Sequence, residues 1–389
     1  MSKNITPIVV VAFNRPRSLA RLLNSLSAAS YPDKNIELII SIDNSDDNQE
    51  VLNIANSFDW VFGKKIVTYQ KVNLGLRAHI LKCGDLTSEY GSVIVLEDDI
   101  FVSPNFYFFA KAALNFSENE NPIGGISLYN HQLNVHTKEN FSPVEDGFDN
   151  WYFQFASSWG QAWTKKQWNG FKNWYLENQS LAENRDIPQN VNSWSEKSWL
   201  KFYIAYLIDT NGYFLYPKIS MSTNFSDAGT HIGHDTTIYQ VPLNYGTKKE
   251  FNFSSVQMSQ SVYDAFFENL GIPKYLGYSK DELCIDLYGY KDKCAKRYWL
   301  TTKILNFKII KSFSRSLKPI DANIIKNIVG NDIFLYDTTV TEKNRIRPDF
   351  YRGSIYKLKY VSFNDSRRLF LDNLKMKTTR VFNKIINQE

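Results

Sequence analysis

Cysteine, long apolar runs and phosphate-cradling glycines are all scarce in this chain of 389 residues. Only three cysteines occur, Cys83, Cys284 and Cys294. They are odd in number and lack metal-ligand spacing, which excludes a disulfide scaffold or a zinc module and predicts a reducing, cytoplasmic setting. No stretch approaches the roughly 18 consecutive apolar residues of a membrane span. The start, M-S-K-N-I-T-P, runs straight into a short strand, so no signal peptide is expected. The turn after that strand lacks G-x-G-x-x-G, which argues against a dinucleotide site. There is no internal repeat and no low-complexity tract.

Aromatic residues are abundant instead: 9 Trp, 23 Tyr and 27 Phe. Most belong in a core, but Trp and Tyr in excess also serve sugar-stacking platforms and wet interfaces. The net charge of +5 hides an asymmetry. Residues 291–389 carry 22 Lys and Arg against 9 Asp and Glu, whereas residues 1–290 carry 23 against 31. An acidic body thus precedes a basic, aromatic tail. The tail could meet anionic lipid headgroups or the body itself. No nucleic-acid motif accompanies the charge, so no nucleic-acid partner is expected.

The most informative stretch is Ser92–Asn105, S-V-I-V-L-E-D-D-I-F-V-S-P-N. The aliphatic run predicts a buried parallel strand that reaches water at Glu97, Asp98 and Asp99. Three adjacent anions are costly to bury without counter-charge, so they belong at the strand's carboxyl end, where a cation can neutralise them. That edge of an open α/β sheet is also where ligands bind. Hard oxygen donors suit Mn²⁺ or Mg²⁺, which commonly arrive with a ligand's phosphates. An acidic turn after a strand is the plainer alternative.

Upstream, Pro7–Phe13 reads as a first strand followed by Asn14-Arg15-Pro16 and a helix with Leu19, Leu22, Leu23 and Leu26 at helical spacing. Ile36–Ile42 is a second strand ending at Asp43-Asn44-Ser45, and Lys65–Gln70 a third, leading into Asn73-Leu74-Gly75-Leu76-Arg77 and a helix. Strands alternating with helices predict a parallel α/β sheet. These pieces, A-F-N-R-P, I-D-N-S, N-L-G-L-R and V-L-E-D-D-I-F-V-S-P-N-F, resemble a GT-A glycosyltransferase over roughly residues 5–240. The likeness is to bacterial polysaccharide glycosyltransferases and to the N-acetylglucosaminyltransferase I family, whose metal motif is also E-D-D.

The resemblance implies a GT-A, mostly parallel sheet flanked by helices, and Asp99 as the direct metal ligand, with Asp98 and Glu97 beside the nucleotide's ribose and phosphate. It implies that Arg15 and Asp43 hold the nucleotide base, with Phe13 and Asn14 in the same nucleotide site, and that Asn73 and Arg77 lie near the nucleotide or its phosphates. The strand Gly124–Leu128, ending in Tyr129-Asn130-His131, faces the donor sugar in such enzymes. This makes Asn130 a sugar or acceptor contact and leaves His131 either on a phosphate or hydroxyl or in an exposed loop. Trp159 and Gly160, in S-S-W-G, offer a ring face and a close backbone approach for a sugar, while Trp163 and Trp168 read as core. Glu196, in N-S-W-S-E-K-S-W, is the one carboxylate in the window where related sequences carry the base of an inverting transfer. It could equally close a capping box with Ser193. The loop Asn224–His234 resembles a segment that closes over donor and metal, with His231 on the diphosphate or metal.

The resulting expectation is a metal-dependent, inverting glycosyltransferase that moves a UDP-linked sugar to a lipid-linked or oligosaccharide acceptor in surface polysaccharide synthesis. A non-catalytic scaffold of an assembly complex is one rival. A sugar-nucleotide pyrophosphorylase is another, disfavoured by the missing G-x-G-x-R loop. The boundaries are a catalytic domain over 1–245, a connector over 246–290 and a basic, mainly helical extension over 291–389. Gly212–Ser220 reads as an outer strand and Ser259–Leu270 as a helix. Leu300–Phe313 and Ile320–Ile328 read as amphipathic pieces suited to an anionic membrane surface, which predicts a cytoplasmic protein, peripheral on the inner face of the membrane.

Overall fold

The computed structural model describes residues 5–181, 186–225, 227, 238–346, 348 and 362–386. The chain divides into two compact units, Met1–Gly277 and Tyr278–Glu389.

In the first unit, β1 (Ile8–Ala12) leads into α1 (Pro16–Ser27), then β2 (Leu38–Ile42), α2 (Gln49–Ser57), β3 (Lys65–Tyr69), α3 (Gly75–Gly84), α4 (Thr87–Tyr90) and β4 (Ser92–Glu97). The four strands are parallel in the order β4-β1-β2-β3. Every residue of β1 and β2 is buried, as aliphatic runs covered on both faces should be. β3 lies at the sheet edge and is only partly covered, consistent with its Lys and Thr. Pro16 opens α1, where a missing N–H costs nothing, and Leu19, Leu22, Leu23 and Leu26 are all buried, as their spacing requires.

The chain continues through β5 (Ile100–Val102), α5 (Phe106–Ser117), β6 (Ile123–Ser127), β7 (Asn150–Phe153), β8 (Gln161–Thr164), α6 (Lys165–Glu177), α7 (Gln189–Asn192), α8 (Trp199–Asp209), β9 (Tyr213–Pro217), β10 (Ser222–Asn224), β11 (Val262–Tyr263) and α9 (Ile272–Leu276). Among the described residues the main sheet has nine strands in the order β11-β7-β9-β6-β8-β4-β1-β2-β3, and most neighbours in it are parallel. β8 inserts antiparallel between β4 and β6. β5 and β10 form a separate antiparallel pair just beyond β4.

Three sequence readings are corrected here. Gly212–Ser220 is not an outer strand: β9 runs inside the sheet between β7 and β6 with all five residues buried. Ser259–Leu270 is not a helix. Val262 and Tyr263 pair with β7, and the carboxylate of Asp264 then accepts from the amides of Phe266 and Glu268, turning the chain back. Sheet pairing and a local side-chain acceptor outweigh helix periodicity there. Finally, residues 246–277 belong with the first unit rather than with a connector. Phe251 and Phe253 set their rings 5.2 and 5.6 Å from Phe109 of α5, and β11 extends the sheet.

The second unit begins at Tyr278. β12 (Leu283–Asp286), β13 (Tyr298–Thr301), β14 (Phe307–Phe313) and β15 (Ile333–Thr341) form a sheet in the order β12-β13-β15-β14, with α10 (Asp321–Ile325) between the last two strands in sequence. The expected, mainly helical extension is therefore a sheet over 283–341, followed by one long helix, Phe363–Ile386. Leu300–Phe313 misleads because β14 carries register shifts between Phe307 and Lys308 and between Ile309 and Lys311. A bulge breaks the two-residue alternation that marks a strand, and Ile309-Ile310-Lys311 then looks amphipathic in a helical sense. Among the described residues no helix is long and apolar enough to cross a membrane.

Candidate active site

Because β1 to β4 run parallel, their carboxyl ends share one edge, and the loops that leave it bring distant residues together. Val11 of β1 is level with Glu97 of β4, so Phe13-Asn14-Arg15 and Glu97-Asp98-Asp99 emerge side by side. Asp43 follows β2 at the same edge, and Asn73 precedes α3. The three acids thus lie where the sequence reading expects them.

Arg15 bridges the two loops. Its guanidinium donates to Asp99 Oδ2 at 3.1 Å and pairs with Asp98 Oδ1. The Asp98 side chain is only 4% exposed, so this pairing satisfies a charge that water barely reaches. Burial pushes the Asp98 carboxyl up to about 6, against the pull of Arg15. Glu97 is pushed further, to about 8, first by burial and then by repulsion from Asp99 and Asp98. Burial would lower the Arg15 pKa, but the two aspartates outweigh it and hold the guanidinium charged.

Trp199 of α8 draws the Glu97 pKa down, yet Glu97 Oε1 is buried with no hydrogen-bond partner. Among the described residues no group of three His, Cys, Asp or Glu forms a ready metal cage. Mn²⁺ and Mg²⁺ do not need one, since they bind through one or two carboxylates and complete their shell with water and phosphate oxygens. An unpartnered buried oxygen beside two carboxylates held by a single arginine is a donor set that fits such a cation.

A second ring surrounds this centre. Asp43 is buried, and its oxygens accept from the amides of Asn44 (2.9 Å), Leu74 (2.8 Å) and Gly75 (2.9 Å). It braces the start of α3, and its carboxylate is spent on backbone rather than left for a base. Asn73 is exposed and donates to the Asn44 carbonyl at 2.7 Å. Arg77 donates to the Glu196 carbonyl at 2.6 Å, with its guanidinium 5.3 Å from the Phe202 ring centre. Glu196 therefore stands at the rim of α3, brought across 119 positions of sequence. It does not close a capping box with Ser193, because α8 starts later, with Ser198 as its N-cap. One Glu196 oxygen takes a 2.6 Å bond from Lys201 Nζ, and its side chain is 57% exposed.

The expected sugar contacts fare differently. Asn130 is buried and fully engaged: it donates to the Lys218 carbonyl (2.5 Å) and accepts from Trp151 Nε1 (3.0 Å), so it holds the sheet together. Gly160 has φ +93°, and a Cβ there would lie 3.0 Å from Ser222 Oγ and 3.2 Å from Leu128 Cβ, so packing alone accounts for the glycine. Trp159 is partly buried, its ring 4.6 Å from Tyr129 and 5.0 Å from Tyr239. Trp163 and Trp168 are core. His131 is not in an exposed loop: it is buried in a ring of aromatics, including Phe153, Trp159, Tyr216 and Phe267. His231 lies outside the described residues.

Sequence reasoning missed two groups. Lys201 is buried in the otherwise apolar run W-L-K-F-Y-I-A-Y-L-I, and that isolated charge was the signal available. The other is Asp227, which accepts from Ser18 (2.7 Å) and pairs with Arg21, whose guanidinium covers the Phe225 ring at 3.8 Å. The Phe225 amide donates to the Asp99 carbonyl at 2.9 Å, so the strand leaving β10 is tied directly to the acidic loop. Nothing local in the sequence links residues 206 positions apart.

Residues 8–166 match the model of glycosyl transferase family 2, a span holding the ends of β1 to β4. No curated protein matches the chain. Among solved structures, TarS from S. aureus is similar at 15% identity over 55% of this chain and 37% of its own, with a TM-score of 0.32. The mannosyltransferase PcManGT from Pyrobaculum calidifontis, in complex with GDP-Man and Mn²⁺, is similar at 12% identity over 56% of this chain and 58% of its own, with a TM-score of 0.34. TarS 1-349 in complex with UDP-GlcNAc gives 15% identity over 55% and 58%, with a TM-score of 0.31. The chain thus spans less than two thirds of each of these proteins.

Proposed function

We propose that this chain, a glycosyltransferase with a GT-A-type sheet, transfers a sugar with inversion from a nucleotide donor, UDP-linked, to a lipid-linked or oligosaccharide acceptor of a surface polysaccharide. The observation that carries the reading is the meeting of Glu97, Asp98 and Asp99 with Arg15 at the carboxyl edge of the parallel strands. Asp99, the more exposed of the two aspartates, would hold Mn²⁺ or Mg²⁺ together with Asp98. Such an ion, when bound, neutralises charge on the departing diphosphate. Arg15 sits within reach of the same anion, with Asn73 and Arg77 on the nucleotide side. Phe13 and Asn14 line the first loop, and His231 is proposed on the diphosphate.

Glu196 is proposed as the base that takes the acceptor hydroxyl's proton while that oxygen attacks the anomeric carbon. Its exposed carboxylate, one oxygen held by Lys201, leaves the other free to receive the proton. Trp159 is the aromatic surface proposed for the acceptor. Asp43 and Asn130 act in this reading by ordering the loops, not by touching ligand.

The test is a titration of UDP- and GDP-sugars with and without Mn²⁺, read by thermal shift, since a ligand bound to the folded state raises its stability. Asp99→Ala should weaken Mn²⁺-dependent donor binding about 100-fold, or ~2.7 kcal/mol. Unchanged affinity would overturn the assignment. Glu196→Gln should bind donor normally and lose about 100-fold or more in transfer, the usual contribution of a positioned base. Donor binding without transfer by the unaltered protein would favour a non-catalytic scaffold.

A further inference from the structure

The C-terminal helix Phe363–Ile386 is about 36 Å long at 1.5 Å per residue, and every side chain described on it is exposed. Phe363 is 82% exposed, Phe370 65%, and Leu371 and Leu374 45% each. At 100° per residue these four residues fall within an arc of about 100°, one continuous apolar stripe, and Leu369, 66% exposed, is the one large apolar side chain described on the far side. The charges are sorted around it. Arg368 and Lys375 flank one side of the stripe, Arg367 sits within it, and Asp365 and Asp372 lie on the opposite side of the helix. Over the whole helix six basic residues face two acidic ones.

Two occupants could cover such a stripe: a second copy of the helix or a lipid surface. Arg367 decides between them. In a seam between helices its charge would be buried among apolar side chains with no acid on that face to pair with it, which is costly. At a bilayer surface its stem lies along the apolar stripe while the guanidinium reaches a headgroup phosphate. The basic flank and the acidic far side complement a negative surface and no other orientation.

We infer that Phe363–Ile386 is an interfacial helix that lies on an anionic lipid surface with Phe363, Phe370, Leu371 and Leu374 inserted below the headgroups. This deepens the proposed use of a lipid-linked acceptor by naming the element that brings the enzyme to its membrane. It also moves that role from Leu300–Phe313, which is strand, to a segment whose apolar face is uncovered.

The experiment is co-sedimentation of the full chain with vesicles of phosphatidylcholine alone or doped with phosphatidylglycerol. The unaltered protein should sediment with the doped vesicles and be released by high salt. F370S/L374S and R367E/R368E should each weaken that association at least tenfold. Absence of sedimentation by the unaltered protein, equal sedimentation with both vesicles, or unchanged sedimentation of either variant would overturn the proposal. So would light scattering showing a dimer that F370S/L374S converts to monomer, since that assigns the stripe to a second copy. Donor titrations in vesicle-free buffer are run on the same variants. Membrane binding lost with donor binding intact separates this inference from the catalytic reading, which fails only if donor binding is absent throughout.

Discussion

Arg15 is the counter-charge for Asp98 and Asp99, and a divalent cation would compete with it for the same oxygens. Arg15→Gln should therefore raise Mn²⁺ affinity in the absence of nucleotide by about tenfold, or ~1.4 kcal/mol, while weakening donor binding. Titration calorimetry with Mn²⁺ alone checks the first half, and a weaker metal response would show that Arg15 orders the site rather than occupying it. His131 gives a second prediction at this scale. Burial in its aromatic ring holds its pKa down to about 3, against 6.5 for an unperturbed histidine. The neutral form is the one that folds, so its contribution to stability is fully present above pH 6.5 and is lost as pH falls toward 3. At pH 5 the loss is about 2 kcal/mol. His131→Leu should remove about half of the histidine contribution to the pH dependence of urea unfolding between pH 7 and 5, since His136, held down to about 4 by burial, keeps the other half. Tryptophan fluorescence follows this well, because all but Trp299 of the nine tryptophans lie in the first unit.

The segment Ser193–Ser198 between α7 and α8 has little regular structure, yet it is pinned at both sides. Arg77 holds the Glu196 backbone from α3, and Lys201 holds the Glu196 carboxylate and the Trp194 carbonyl from the first turn of α8. A buried ammonium with one exposed carboxylate partner adds little to stability, because its desolvation offsets the attraction. Its use is positional. Lys201→Met should leave unfolding within about 1 kcal/mol of the parent, as such replacements often do. Turnover should fall roughly tenfold, the cost of a base left to wander. The donor KM should hold steady, since the nucleotide side is untouched. A change in donor KM with kcat preserved would remove Glu196 from the base position and assign the pair to nucleotide binding. β14 and β11 teach a related lesson about elements. Each looks helical in sequence because a bulge, or an aspartate turning the chain, interrupts the periodicity from which strands are read.

The two compact units meet in sequence at Gly277 and Tyr278, not near residue 245. This difference is testable by truncation. A chain ending at Gly277 should fold cooperatively and keep Mn²⁺-dependent donor binding. A chain ending at residue 245 should not, because it loses β11 together with Phe251 and Phe253 and bares Phe109 and Phe116. Both rings are partly buried against the core, so each loss costs less than the roughly 3–5 kcal/mol of a fully buried Phe, and with the lost strand the sum is still a large share of a domain's stability. Equal folding of both truncated chains, measured by urea unfolding, would return the boundary to the earlier position.

By itself the sequence determined that the first four strands run parallel and that the carboxylates stand at a strand's carboxyl end. Both follow from local rules: uninterrupted aliphatic runs need cover on two faces, and adjacent anions need an open edge. The meeting of Arg15 with those acids depends on β1 lying beside β4, which the tertiary structure decided. Only the tertiary structure decided which polar residues remain available for chemistry. Asp43, Asn130 and Gly160 look functional in sequence and are consumed by amides, an indole and close packing, whereas Lys201 and Asp227 look incidental and hold the site's walls. Hydrogen-bond capacity is finite, and partners tens of positions away in sequence determine how much of it is left.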